Sequence, residues 1–274
     1  MMREDAPHRL LGGTIASESE GFALPAGPTA PYKTGGGPVT TICHYILLIP
    51  GPPCDNLGDQ QGWMGMKSGV RRNDILYRFM RSVGYVSLNC CYRIKVEGRE
   101  HIPPAGPAIL LPKHQFWTDI PIMGLAAWRP LNFIAKQELF VYPGVRQFIS
   151  SMGGVPIHRL NPVKSLGSFR YVEQLLQSGE FIVLFPEGTY YPHTMGRGKH
   201  RFVERLLRTQ EKAGWHGDRA LPFIPVGIRY NEKKLRTEVH VKIGRPIYSG
   251  EKCGGEEFTR RIVEEIATLS GLPA

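Results

Sequence analysis

The sequence predicts an α/β fold, a mixed and mostly parallel sheet flanked by helices and entered through an N-terminal amphipathic helix. Three observations carry this. Apolar residues make up 42% of the 274-residue chain, enough for one sizeable core. Between residues 94 and 269, short β-branched and apolar runs alternate with stretches of helical period, as crossover connections between parallel strands require. No fixed repeat runs through the chain and no stretch of 18 apolar residues occurs, which argues against repeat folds, coiled coils and membrane-spanning helices.

Residues 1–70 are dense in Gly, Pro, Ser and Thr, as in LPAGPTAPYKTGGGP. Such a composition buries too little surface to offset the entropy of ordering it. It reads as a disordered leader before a folded domain over 71–274. The opening MMREDAPHR contains acidic residues and precedes no apolar core, unlike a secretory signal.

Residues 71–92 read as a helix with Ile75, Leu76, Phe79, Met80 and Val83 on one face and Arg71, Arg72, Arg78 and Arg81 elsewhere. The pattern alone favours an apolar face packed on the core, the alternative being a helix lying on anionic lipid. Beyond it, Ile94–Gly98, Ala108–Leu111, Asn132–Ala135, Gly154–His158, Phe181–Phe185, Phe223–Tyr230 and Val239–Ile243 read as strands. Helices are expected over 119–127, 144–151, 163–178, 200–213 and 255–269. In such a fold ligands bind beyond the carboxyl ends of strands.

The charge is uneven. Lys and Arg total 34 against 24 Asp and Glu, a net of +10, yet residues 1–70 carry only 4 basic and 6 acidic side chains. The basic body suits an anionic partner: a phosphate-bearing substrate, an anionic membrane or nucleic acid. Basic and aromatic residues are not interleaved as in RNA-binding sheets, so nucleic acid is not expected. The five cysteines, Cys43, Cys54, Cys90, Cys91 and Cys253, include no CxxC pair, which fits a reducing, cytoplasmic setting better than a disulfide framework. His193 and His200 lack spaced acidic or cysteine companions, so no metal site is expected.

Two motifs fall at strand ends. Lys113-His114-Gln115-Phe116-Trp117-Thr118-Asp119 follows the strand AILLP. Within one helix His114 and Asp119 would point about 140° apart. With His114 on a loop and Asp119 opening the next helix, capped by Thr118, the carboxylate can hold the Nδ1 proton and leave Nε2 as a base. The second motif, Phe185-Pro186-Glu187-Gly188-Thr189, follows FIVLF. Its Glu187 can orient a basic residue or accept from a substrate hydroxyl, and Gly188 permits close backbone approach. A third segment, GGVPIHR, delivers Arg159 to a strand end, where a guanidinium suits phosphate. A fourth, IPVGI, opens a strand with Pro225, by itself a sign of an edge strand.

In order and spacing, KHQFWTD, GGVPIHR, FPEGT and IPVGI resemble the four blocks of the glycerolipid acyltransferases typified by 1-acyl-sn-glycerol-3-phosphate acyltransferase. The likeness covers about residues 85–270. It implies an O-acyltransferase of phospholipid biosynthesis, with acyl-CoA or acyl carrier protein as donor, no cofactor, and lysophosphatidate or a related lysolipid as acceptor. It implies His114 as general base, Asp119 as its orienting partner, Arg159 as phosphate ligand, Glu187, Gly188 and Thr189 as acceptor-site residues, and Pro225 on the acyl side. It also tips the 71–92 helix toward membrane contact, aided by Leu139–Tyr142, on the cytoplasmic face of a membrane.

Two positions depart from the family pattern. Lys113 stands where asparagine is common, and Tyr190 follows PEGT where arginine is usual. Lys113, Arg197 or Lys199 are candidates for the missing charge, and Tyr190 favours an acceptor other than lysophosphatidate. No GxSxG elbow occurs, so a serine acyl-enzyme of that kind has no support. A non-catalytic basic lipid-binding protein is the alternative class.

Overall fold

The computed structural model describes residues 72–158, 165–233, 235–249 and 254–273; the leader expected over 1–70 lies outside them. In chain order the elements are α1 (Asp74–Cys91), β1 (Tyr92–Glu97), β2 (Ala108–Pro112), α2 (Asp119–Ala126), β3 (Leu131–Lys136), α3 (Pro143–Ser151), β4 (Gly154–Ile157), α4 (Leu166–Gln177), β5 (Phe181–Val183), α5 (His200–Lys212), β6 (Phe223–Asn231), β7 (Thr237–Ile243) and α6 (Gly255–Ser270). Each expected strand and helix has a counterpart.

The strands form one sheet in the order β1-β7-β6-β2-β5-β3-β4. Strands β6, β2, β5, β3 and β4 run parallel to one another. β7 is antiparallel to β6, and β1 is parallel to β7, so the outer pair is reversed. β2 is central and buried at all five positions, which is why AILLP reads as an unbroken apolar run. Its side chains divide between the faces: Ala108 and Leu110 meet Ile122, Met123 and Ala126 of α2. Ile109 and Leu111 face the core built by α4, α5 and α6.

α6 packs closely on β6 because Gly227 has no side chain. A Cβ there would lie 2.4 Å from the carbonyl carbon of Leu269. Gly227→Ala is therefore expected to cost about 1–3 kcal/mol through overpacking, read as a lower urea midpoint. An unchanged midpoint would mean that this contact does not constrain the fold.

α1 overturns the core-facing reading of its stripe. Asn73 caps it, its side-chain oxygen accepting from the backbone N–H of Ile75 and Leu76. The helix buries Tyr77 and Leu88, which project within about 20° of each other on the face away from Ile75. That leaves Ile75 83%, Phe79 63% and Val86 64% exposed. Leu139, Val141, Tyr142, Val145 and Phe148, in and before α3, are exposed as well. Among the described residues no helix is long and apolar enough to cross a membrane.

Candidate active site

Parallel strand β2 lies between β5 and β6, so the loop after β2 meets the loop after β5 on one side and reaches β6 on the other. β2 stops at Pro112, and α2 opens at Asp119, which turns the intervening loop back on itself. The turn brings His114 and Asp119 together, with Nδ1 3.1 Å from Oδ2. The same Oδ2 accepts from the backbone N–H of Gln115 at 2.5 Å and Phe116 at 2.8 Å. A carboxylate only accepts, so Nδ1 carries the proton and Nε2 keeps its lone pair. The imidazole is stacked on Phe185 at 3.9 Å and tilted against Tyr190 at 4.3 Å, so its ring plane is fixed from two sides.

Thr118 occupies the cap position of α2 but makes no side-chain cap bond. Its hydroxyl instead meets the hydroxyl of Tyr230, 2.9 Å away. Tyr230 donates to the other oxygen of Asp119, Oδ1, at 2.6 Å. Burial, followed by the charge of Asp119, holds this phenol well above its ordinary range, so it remains a donor at neutral pH.

Lys113 and Glu187 form a second cluster, and both side chains are fully buried. Lys113 Nζ donates to both carboxylate oxygens, at 2.7 and 2.9 Å, and to the carbonyl of Tyr191 at 2.9 Å. Glu187 also accepts from the backbone N–H of His114 at 2.9 Å and of Gly196 at 2.7 Å. Burial pulls the Lys113 amine below its ordinary value, and Glu187 opposes that pull. The expectation that Lys113 and Glu187 touch substrate does not fit this geometry. Their charges face each other and tie the histidine loop to the PEGT loop.

The remaining expected site residues are dispersed. Gly188 takes the left-handed conformation, φ +68°, and a Cβ on it would come 3.0 Å from Cδ of Lys199. Its place in the turn thus depends on having no side chain. Thr189 is exposed beside it. Pro225 is buried inside the sheet opposite Leu111, on an interior strand rather than an edge. It is tolerated because the β6–β7 ladder ends at the next residue, Val226, so no ladder bond needs its missing N–H. Arg159 lies outside the described residues.

Residues the motifs did not reveal complete the site. Besides Tyr230, Gln115 bridges two segments: its amide nitrogen donates to Ile228 O at 2.7 Å, and its oxygen accepts from His193 N at 3.0 Å. Only the fold joins these partners, which lie 113 and 78 residues from Gln115.

A histidine oriented by a carboxylate at the carboxyl ends of parallel strands is an arrangement suited to taking a proton from a hydroxyl. Residues 93–229 match the protein family described as Acyltransferase, and the chain belongs to that family. Its particular likenesses are to lipid enzymes. It is 30% identical over 246 residues to the 1-acyl-sn-glycerol-3-phosphate acyltransferase BAT2, chloroplastic, of Brassica napus, covering 85% of this chain and 65% of that one. It is 32% identical over 123 residues to the lyso-ornithine lipid O-acyltransferase of Pseudomonas aeruginosa, covering 45% and 44%. Both matches span less than two thirds of the relative's length. The crystal structure of the 1-acyl-sn-glycerophosphate (LPA) acyltransferase PlsC from Thermotoga maritima shares the fold, with a TM-score of 0.55 and 23% identity over 72% of this chain and 79% of that one.

Proposed function

We propose that this enzyme transfers a fatty acyl group from acyl-CoA or acyl carrier protein to 1-acyl-glycerol-3-phosphate, giving phosphatidate. The observation that carries the reading is the His114 ring, held at Nδ1 by Asp119 with Nε2 as the acceptor nitrogen. Nε2 takes the proton of the acceptor hydroxyl as its oxygen attacks the thioester carbonyl. The C–S bond then breaks, and the leaving thiolate receives the proton from the imidazolium. No covalent enzyme intermediate is needed, because the thioester is already activated.

The excess of basic residues after position 70 supports an anionic acceptor and donor. Lys199, whose side chain passes over Gly188, and Arg197 are cations of the described site loop suited to the acceptor phosphate, alongside the expected role of Arg159. Tyr190 favours a second reading. It packs on His114 where the family usually has arginine, and one of the relatives above bears the name of a lyso-ornithine lipid O-acyltransferase. An acceptor without a phosphomonoester is therefore the alternative.

The deciding experiment incubates labelled long-chain acyl-CoA, then acyl carrier protein, with lysophosphatidate, glycerol 3-phosphate, lyso-ornithine lipid and neutral lysolipids. Phosphatidate formed by the wild type supports the first reading. Product on lyso-ornithine lipid alone replaces it with the second, and no product with either donor overturns both.

The exposed face of α1 supports action at a membrane surface, with the apolar residues around α3 as a second contact. Ile75, Phe79 and Val86 make few contacts to lose, and burying each in lipid contributes about 1.5–3 kcal/mol. Ile75→Ser, Phe79→Ser and Val86→Ser together should lower partitioning onto anionic vesicles by at least about a hundredfold. Undiminished co-sedimentation would place the membrane contact elsewhere.

A further inference from the structure

The base and its carboxylate account for one oxygen of Asp119; the other is held by a residue that no motif marks. Tyr230 lies near the end of β6, two residues past the IPVGI segment and 111 residues from Asp119. A phenol has one proton to give. It goes to Oδ1 of Asp119, the shorter of its two contacts at 2.6 Å, so Thr118 must donate to the phenol oxygen at 2.9 Å. The result is a directed chain from Thr118 through Tyr230 and Asp119 to the imidazole.

We propose that Tyr230 is a positioning residue of this site. Its hydroxyl fixes the Asp119 carboxylate so that Oδ2 meets Nδ1 of His114, and it sets how much negative charge the imidazole feels. The proposal rests on the reading of His114 as the base. Without the phenol, Asp119 would keep its three contacts on Oδ2 but would lose the one that pins Oδ1, so the carboxylate could tilt about its Oδ2 anchor. Its charge, no longer drawn toward Oδ1, would shift toward the histidine.

The surroundings of Tyr230 hold it in place. Its ring meets Phe116 edge-on at 4.9 Å and Tyr92 at 6.3 Å. Phe116 follows the histidine by two residues, and Tyr92 opens β1 at the end of α1. The ring is thus clamped between the histidine loop and the reversed outer strands. The titratable groups facing His114 and Asp119 are Tyr190 from the PEGT loop, Tyr230 from β6, and the Lys113–Glu187 pair between the two loops.

The test reads the imidazole directly, in full-length protein carrying isotope-labelled histidine, with the His114 signal assigned by its absence in His114→Gln. Tyr230→Phe should move the His114 titration toward higher pH than in the wild type, because the carboxylate stabilises the imidazolium more strongly. A fluorotyrosine placed at 230 alone donates more strongly and should move it toward lower pH. Tyr230→Phe should also reduce kcat about tenfold with KM little changed. Titration curves that coincide in all three proteins would overturn the proposal, even if kcat fell, because the hydroxyl would then serve stability alone. If the wild type transfers no acyl group, the reading of the chemistry fails, and the imidazole titration still decides the role of Tyr230.

Discussion

Replacing His114 with alanine is expected to lower acyl transfer by about 10²–10⁴-fold, the range a positioned general base supplies. The protein should stay folded. His114 packs on Phe185 and Tyr190 at one rim of the core, and its backbone N–H to Glu187 does not depend on the side chain. The loss should fall on kcat, because the imidazole acts on the moving proton and contributes little to lipid binding. Asp119→Asn should also be severe. The amide keeps an oxygen for the Oδ2 site but carries no charge to stabilise the imidazolium, and its nitrogen would face Tyr230 in place of Oδ1. Retained turnover in His114→Ala, with an unchanged unfolding profile, would remove the base from the mechanism.

The second large effect is expected at Lys113. Lys113→Met leaves the Glu187 carboxylate buried without its cation, which typically costs about 3–5 kcal/mol. Glu187 still accepts from His114 N and Gly196 N, so the charge cannot simply turn to solvent. The distinguishing variant is the double change Lys113→Met with Glu187→Gln. It removes the buried charge and keeps an oxygen for one of the two backbone donors, which sit on different carboxylate oxygens, so it should recover part of the stability lost in Lys113→Met. Urea unfolding of the two proteins checks this. Equal midpoints in both would mean that the ion pair is not what the buried carboxylate requires. If Lys113 instead served as a surface phosphate ligand, Lys113→Met would leave the midpoint near that of the wild type and raise KM for the anionic acceptor.

Much of the fold was legible because its elements are locally coded. The apolar run AILLP, buried on both faces, and the alternation of strand and helix patterns are properties of short windows. The approach of His114 to Asp119 was legible for the same reason: five residues separate them, and a loop followed by a helix start leaves few ways to close. The motif alone left open that Glu187 orients a basic residue, but that Lys113 is that residue depends on β2 and β5 being neighbours, which no window contains. Tyr230 read only as the end of a strand for the same reason. The stripe on α1 misled differently. Its period is the same whether its face is packed or exposed, and only the burial of Tyr77 and Leu88 on the other side decides.

The ties that build the site have one consequence for how activity relates to folding. Lys113 and Glu187 are 74 residues apart, Gln115 and Ile228 113, and Asp119 and Tyr230 111. Each closes a long loop, and the entropy of closing it is offset only once the sheet has formed. The site therefore has no half-built version that a partly ordered chain could adopt. In the wild type, turnover is therefore expected to be lost together with the sheet on unfolding, so there the catalytic assay gauges the folded population.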